Sequence, residues 1–288
     1  MRRKYNDLYF LLPAFIVVVV VTQIPFVLTI IFSTLKWNLA RPDLGIHFIG
    51  LKNYLHYLKM PEFYSILLQT IVIMLSSMAL CTFFGFLLSI LLDHRIPGIN
   101  LARTLILGPF FVMSVASGVI WKTTIFNTTF GWYGVIVKAL GGTPTDMLSY
   151  HPMGVIIFLF TWKWVPFFVL IMLAGLQGIS QDIMDSMKID GANWFRATFQ
   201  IKLPSIANHI RVAVMLGMIF LVKEIGLILV TTAGGPGTRS YTLPYMVYMT
   251  IFNGSEIGRA GALAVMTVII MLLAVNLLYR WIKGRREA

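Results

Sequence analysis

Six long apolar runs constrain this sequence more than any other feature. They occupy residues 9–35, 64–92, 101–124, 153–176, 210–232 and 260–282. A helix rises roughly 1.5 Å per residue, so about 20 residues cross a bilayer core that is about 30 Å thick. Each run meets that length. We therefore predict an all-α membrane protein with six transmembrane helices.

The composition supports this prediction and excludes other classes of protein. Of the 288 residues, 58% are hydrophobic and 12% are charged, whereas a soluble domain usually carries about twice that charged fraction. The net charge of +12 comes from basic residues that border the apolar runs, so we predict no nucleic-acid-binding face. Cys81 is the only cysteine, which excludes an internal disulfide and predicts a small buried residue.

The distribution of Lys and Arg predicts how the chain is oriented in the membrane. Basic residues are densest at the two termini and in the connections that follow the second and fourth runs. Such segments stay on the cytoplasmic side, so we predict that both termini are cytoplasmic. The first run could also be a cleaved signal peptide. Its apolar stretch continues without a small-residue cleavage site, however, and we predict a retained helix.

A polar segment, residues 177–208, separates the fourth and fifth runs. Residues 185–190 and 192–199 suit short helices, and Gly191 between them can adopt a positive φ angle. Pro204 suits the first turn of the next span. The segment therefore predicts a helix, a turn and a second helix on the cytoplasmic face. Its apolar side chains, which either dock into a partner or rest on lipid headgroups, are Met187, Ile189, Trp194, Phe195 and Phe199.

The spacing within this polar segment is distinctive. It reads Asp185-Ser186-Met187, three residues, Gly191, nine residues, Ile201, one residue and Leu203-Pro204. This resembles the EAA motif of bacterial ABC importer permeases, E-A-A-x3-G-x9-I-x-L-P, with an aspartate in place of the glutamate and Ser-Met in place of the two alanines. The resemblance implies a coupling helix that docks on an ATP-hydrolysing subunit. Its coupling residues would be Asp185, Ser186, Met187, Ile189, Asp190, Gly191, Ala192, Trp194 and Phe195.

The resemblance extends over most of the chain. Residues 37–39, 48–54 and 232–238 are similar to external segments of carbohydrate-importer permeases. Residues 102–105, 109–113 and 120–122 resemble the branch that carries sugar alcohols. The likeness implies the type I ABC importer permease fold as a single transmembrane domain over residues 1–288, with its core at 64–282. It also implies a bacterial inner-membrane location.

The same resemblance implies several partners. A second permease subunit would complete a heterodimer, and two ATP-binding subunits and an extracytoplasmic solute-binding protein would join it. The sequence contains no G-x4-G-K-[ST] motif, so ATP and magnesium would bind to a partner and not to this chain. It also lacks H-E-x-x-H and clustered Cys and His residues, so we predict neither a metal site nor an enzyme activity.

Two helical faces are candidates for a substrate pathway. In the fourth run, at helical spacing, they are Phe160, Lys163, Trp164 and Phe167; in the fifth run they are Gly217, Phe220, Leu221 and Glu224. Aromatic rings stack on the C–H faces of sugars, and charged groups inside spans mark functional sites. Pro166 is expected to break its helix beside the first face. The resemblance to maltose-type permeases supports both faces as pathway lining.

Alternatives remain for the pathway and for the substrate. Lys163 and Glu224 could form a structural ion pair while the aromatic rings serve packing. A sugar alcohol is the first choice of substrate by resemblance, and an anionic sugar derivative is the second. A proton-coupled secondary transporter that uses Glu224 is a further class, but the docking segment and the lack of an internal repeat disfavour it.

Overall fold

A computed structural model describes residues 3–94 and 97–284. In chain order its helices are α1 Arg3–Ser33, α2 Lys52–Leu58, α3 Pro61–Leu92, α4 Ile99–Ile106, α5 Gly108–Phe111, α6 Ser114–Ile120, α7 Trp132–Ala139, α8 Met147–Tyr150, α9 Pro152–Gln177, α10 Gln181–Ile189, α11 Trp194–Arg196, α12 Leu203–Ser205, α13 Ala207–Val222, α14 Gly226–Val230, α15 Leu243–Phe252 and α16 Ile257–Gly284. The predicted all-helical character is confirmed. The two chain ends, at residues 1–2 and 285–288, lie outside the described residues.

Irregular segments interrupt this helical order. A two-stranded antiparallel ribbon joins β1 Leu35–Lys36 to β2 His47–Phe48 through a short 3₁₀ turn, Pro42–Leu44. A π-helical segment, Trp121–Ile125, continues α6, and a second one, Ala197–Lys202, links α11 to α12. The chain is therefore helical except for one small ribbon and its connections within the described range.

Four helices are long and apolar enough to cross a membrane by themselves, namely α1, α3, α9 and α16. The third and fifth apolar runs differ from the expected single helices. In the third run, Ile99–Phe111 and Ser114–Ile125 meet at 98°. The fifth run is interrupted at residues 223–225, between α13 and α14. Just before it, Trp194–Ser205 of the polar segment meets Ala207–Val222 at 63°. The count of six spans stays a prediction, whereas a multi-pass membrane protein is supported directly.

The expected helix break at Pro166 was wrong, because α9 continues through it from Pro152 to Gln177. Neighbouring helices surround α9 and support its backbone where the proline removes an N–H donor. The packing is closest at Phe168. A Cβ atom added at Gly85 of α3 would lie 2.6 Å from the Phe168 Cβ, and one added at Gly217 of α13 would lie 2.6 Å from its Cζ. Three helices therefore meet closely around one ring.

The residues divide into two compact units. The first lies within Met1–Tyr64 and Met246–Met271, and the second within Ser65–Tyr245 and Leu272–Ala288. In the first unit, the buried amide of Asn53 donates to the carbonyls of Ser33 and Leu35, each at 2.8 Å. These bonds fix α2 against the end of α1. The second unit contains both candidate faces and the polar segment of residues 177–208.

Candidate functional site

Lys163 is a buried cation on α9 that binds the end of a broken helix. Its ammonium donates to the carbonyl of Val112, the residue that follows α5. Carbonyl groups at the end of a helix lack partners within that helix and carry partial negative charge. Lys163 therefore satisfies one side of the 98° bend, where an apolar environment would otherwise leave this carbonyl without a partner.

Glu224 occupies the other side of the same bend. It lies in the interruption between α13 and α14, not on the helical face where the sequence predicted it. Its carboxylate is buried and accepts a hydrogen bond of 2.8 Å from the hydroxyl of Ser114, the first residue of α6. A carboxylate is favourable at this end of a helix, because the N–H groups there carry partial positive charge. The bend between α5 and α6 and the interruption between α13 and α14 thus meet at Glu224.

Lys163 and Glu224 do not form a direct ion pair in the described part of the chain. The alternative of a structural ion pair between the two spans is therefore not what the structure contains. Each charge instead binds a different side of the bend, through Val112 or through Ser114. The arrangement keeps both charges satisfied within the apolar interior and holds α5 and α6 at their angle.

Four aromatic rings cluster beside the bend. Trp164 stacks on Phe220 with ring centroids 5.2 Å apart and planes at 11°. Phe110 of α5 meets Trp164 edge to face at 5.6 Å and stacks on Phe167 at 5.9 Å. Phe167 also meets Phe220 edge to face at 5.6 Å. Three of these rings come from the two predicted faces on α9 and α13. The fourth, Phe110, comes from α5.

One polar group in this aromatic cluster lacks a partner. Trp164 is only 8% exposed, and its indole nitrogen is buried without a hydrogen bond. A buried N–H without an acceptor costs about 1–3 kcal/mol. Such a group in a cluster with two buried charges is the feature expected of a site that a polar ligand completes.

Three predicted pathway residues are closely packed within this chain. Phe160 and Leu221 are almost fully buried, and Phe160 joins no ring of the cluster among the described residues. Gly217 has no room for a side chain, because Phe168 of α9 lies against it. Helical spacing placed these residues on the right helices, but it could not distinguish a lining position from a packed one.

The sequence alone missed three members of the site, namely Phe110, Val112 and Ser114. The available signals were Pro109, which suits the first turn of a new helix and begins α5 with Gly108, and Ser114, which favours a helix start and begins α6 after the bend. Reading the run as one span hid those signals. The break is what brings a backbone carbonyl, a hydroxyl and a ring to the same place.

The polar segment folds as a helix, a turn and a second helix, as expected. Gly191 follows α10 with a φ angle of +65°, and Asn193 caps α11 by accepting from the N–H of Arg196 at 2.9 Å. Four apolar side chains project from it without cover. Their exposed fractions are 85% for Ile189, 52% for Trp194, 67% for Phe195 and 52% for Phe199.

Other residues of the segment differ in exposure. Met187 is only 8% exposed, so its place in the uncovered apolar set was wrong: this chain already buries it. Asp185 accepts from the amide of Gln181 at 3.1 Å. Asp185, Ser186, Asp190 and Gly191 are exposed, and Ala192 is half-buried. Near the end of the segment, Lys202 pairs with Asp93 at 3.2 Å and so ties the segment to the end of α3.

Comparison with known proteins gives consistent matches. Residues 48–287 match the family model described as the binding-protein-dependent transport system inner membrane component. The trehalose/maltose transport system permease protein MalF of Thermococcus litoralis is 30% identical over 228 residues, which cover 78% of this chain and 76% of that protein. The alpha-glucoside transport system permease protein AglF of Rhizobium meliloti is 31% identical over 242 residues, with coverages of 81% and 70%.

A solved structure shares the fold. It is the crystal structure of a bacterial alginate ABC transporter in complex with an alginate pentasaccharide-bound periplasmic protein. The TM-score is 0.77, and the match covers 99% of this chain and 96% of that one. The sequence identity is 18%, so this likeness concerns the arrangement of helices.

Proposed function

Because the chain belongs to the family of binding-protein-dependent transport system inner membrane components, we propose that it is the permease subunit of an ATP-driven importer for a neutral saccharide or sugar alcohol. The relatives named for trehalose, maltose and alpha-glucoside transport support a carbohydrate substrate. The family match also supports the predicted inner-membrane location. The choice of a sugar alcohol rests on the residues of the third run that resemble that branch.

The observation that carries this proposal is the aromatic cluster with its unpartnered indole N–H. The rings of Phe110, Trp164, Phe167 and Phe220 offer apolar faces of the kind that pack on the C–H groups of a sugar. The Trp164 N–H can donate to a sugar oxygen. Glu224 retains acceptor capacity for a hydroxyl beyond its bond to Ser114.

The charges at this site favour a neutral substrate over an anionic one. The ammonium of Lys163 already binds the Val112 carbonyl, and the carboxylate of Glu224 lies on the other side of the bend. Lys223 is exposed and stands outside the aromatic cluster. An anionic sugar would need a cation that is free to pair with it, and it would meet the Glu224 carboxylate. A neutral polyhydroxy ligand needs no cation and is not repelled by the Glu224 carboxylate.

We place the energy source in partner subunits. ATP and magnesium bind there, since the sequence has no phosphate-binding loop. The uncovered side chains of Ile189, Trp194 and Phe195 fit a cleft on an ATP-hydrolysing subunit, because large exposed apolar patches mark interaction sites. The remaining proposed coupling residues, Asp185, Ser186, Met187, Asp190, Gly191 and Ala192, form the scaffold of the same segment.

The proposed assembly also sets the orientation. The segment of residues 177–208 lies on the cytoplasmic side with both termini, as the density of basic residues predicts. A second permease completes the translocation path, and a solute-binding protein delivers the substrate from outside. Movement of the coupling segment by the ATPase opens the path alternately to the two sides.

Uptake by the assembled importer tests this proposal. The complex is reconstituted in vesicles with its solute-binding protein, and neutral disaccharides, sugar alcohols and anionic glycosides are supplied in turn. We expect accumulation of a neutral compound that requires ATP on the side of the ATPase. Uptake of anionic glycosides alone would refute the substrate class. Uptake driven by a proton gradient without ATP would refute the importer class and favour a secondary transporter.

Trp164→Phe tests the role of the indole N–H within the same assay. The variant keeps an aromatic ring against Phe220 but removes the donor, and a lost hydrogen bond costs about 0.5–1.5 kcal/mol. We expect uptake efficiency to fall about 3–10-fold. Trp162→Phe is the matched control, since Trp162 packs on Trp121 instead. Equal efficiencies of the two variants would remove Trp164 from the substrate site.

A further inference from the structure

A basic cleft lies in the first unit. Its volume is about 570 Å³, and it is bounded by β1 and the connection that follows it, the start of α2 and the start of α16. Its charged lining consists of Lys36, Arg41, Lys52, Arg259 and Glu256. Four cations against one carboxylate leave three positive charges uncompensated.

The charges in the cleft are unequally paired. Arg259 donates to both oxygens of Glu256, at 2.9 and 2.6 Å. Lys36, Arg41 and Lys52 form no ion pair with any described residue. Cations that converge on one cleft repel each other, and a bound anion removes that repulsion. The cleft therefore has the electrostatics of an anion site.

The walls of the basic cleft are fixed by backbone contacts. The amide of Asn53 bonds to the carbonyls of Ser33 and Leu35. The backbone of α16 passes so close to the ribbon that a Cβ atom at Gly258 would collide with the carbonyl oxygen of Leu35. Leu39 also donates its N–H to the carbonyl of Ser255 at 2.8 Å. The site is consequently prearranged and not a mobile loop.

The position of the cleft relative to the spans points to the headgroup level of a bilayer. The apolar helix α1 ends at Ser33, α3 begins at Pro61 and α16 begins at Ile257, all close in sequence to cleft residues. No residue from Leu11 to Phe32 is buried by its own chain. Acyl chains can therefore lie along α1 while the headgroup reaches the cleft.

The rim of the cleft is apolar and exposed. Leu44, which is 42% exposed, lines the cleft. Other large uncovered side chains lie within a few residues of the lining in sequence, and Phe48 is the most exposed of them at 77%. The others are Leu39, Ile46 and Leu51. Cationic lining with an apolar rim matches an amphiphilic ligand, whereas a soluble acidic partner would leave the rim uncovered.

We propose that this cleft binds the phosphate headgroup of an anionic phospholipid, held by Lys36, Arg41 and Lys52, with its acyl chains along α1. The inference rests on the location of the chain in a membrane and is independent of the transported substrate. A bound lipid phosphate also explains why these cations are present. Under the proposed orientation they lie on the outer side of the membrane, where basic residues next to spans are less frequent than on the cytoplasmic side.

Native mass spectrometry of the assembled complex tests this site. The complex is mixed with phosphatidylglycerol or with phosphatidylcholine of the same chain length, and retained lipid is counted. We expect preferential retention of phosphatidylglycerol and a loss of about tenfold or more in the K36Q/R41Q/K52Q variant. The control is Lys59→Gln, which removes a charge from the end of α2 outside the cleft and should leave retention unchanged.

Further arms make the outcome decisive. The charge-conserving K36R/R41K/K52R variant should retain the lipid. If the triple neutral variant fails to assemble, the single variants K36Q, R41Q and K52Q replace it, and each should lower retention of phosphatidylglycerol. Inorganic phosphate and glycerol phosphate at millimolar concentration should not displace it. Equal retention of both lipids, or undiminished retention in the neutral variant, would overturn the proposal. Displacement of the lipid by the soluble phosphates would assign the cleft to a soluble anion. Displacement of the lipid by the solute-binding protein would assign the cleft to that partner.

Discussion

The bend between α5 and α6 and the polar segment of residues 177–208 both interrupt an apolar chain. They differ in whether this chain itself provides the contacts that their side chains need. At the bend, polar groups sit in apolar surroundings, and the chain satisfies the charges of Lys163 and Glu224 by itself. In the segment, apolar groups such as Ile189 and Phe195 are left uncovered.

The difference separates what is internal from what needs a partner. A buried charge without partners is too costly to persist in the folded chain, so its partners must come from the same molecule. An exposed apolar side chain costs little until a partner arrives, and it then becomes a source of binding energy. The bend is therefore complete within this chain, whereas the segment has the exposed apolar surface that the proposed interface with an ATPase subunit requires.

The largest expected effect concerns the segment. Trp194→Asp introduces a charge into the proposed ATPase interface, where loss of a central aromatic residue costs about 2 kcal/mol or more. We expect ATP-dependent uptake to fall about 30-fold or more, with normal membrane insertion. Leu140→Asp is the control, because Leu140 is 83% exposed in a connection predicted on the opposite side. If Trp194→Asp transports normally, the segment is not half of an interface.

A smaller effect is expected at the bend, and it concerns stability. Lys163→Met leaves the carbonyl of the half-buried Val112 without its donor, and an unpaired buried group costs about 1–3 kcal/mol. Thermal unfolding in detergent should show this loss, whereas Lys223→Met, an exposed position, should change stability by about 0.5 kcal/mol at most. Equal unfolding temperatures for the two variants would contradict the claim that Lys163 completes the bend.

The smallest effect compares two serines on α6. Ser114 donates to Glu224, whereas the hydroxyl of Ser117 is buried without a partner. Ser114→Ala should cost about 1 kcal/mol or more because its acceptor is charged, and Ser117→Ala should be neutral or stabilising. The free energy of unfolding measures both. A larger loss of unfolding free energy for Ser117→Ala than for Ser114→Ala would contradict a stabilising hydrogen bond between Ser114 and Glu224.

The sequence predicted much of this protein correctly. Spacing within residues 185–204 led to the importer permease family, which the match over residues 48–287 confirms. The positive φ angle of Gly191 followed from its place between two short helices. These features are local, because they depend on residues within about 20 positions of each other.

Tertiary contacts decided the rest. The sequence treated Glu224 as one position on a helical face, but it lies in a helix break and bonds to Ser114, which is 110 residues away. It treated Gly217 as lining, whereas the ring of Phe168 fills that space. Helical period fixes which side chains share a face, but it does not say where a helix ends or what packs against it.

The sequence by itself determined that the chain is a helical membrane protein of the importer permease family with a polar segment between two apolar runs, because long apolar runs and fixed motif spacing are properties of the chain alone. Only the tertiary structure decided which polar groups meet. Whether Lys163 finds Glu224 or the Val112 carbonyl depends on the angle at which three segments cross. Packing of rings and glycines from distant parts of the chain sets that angle.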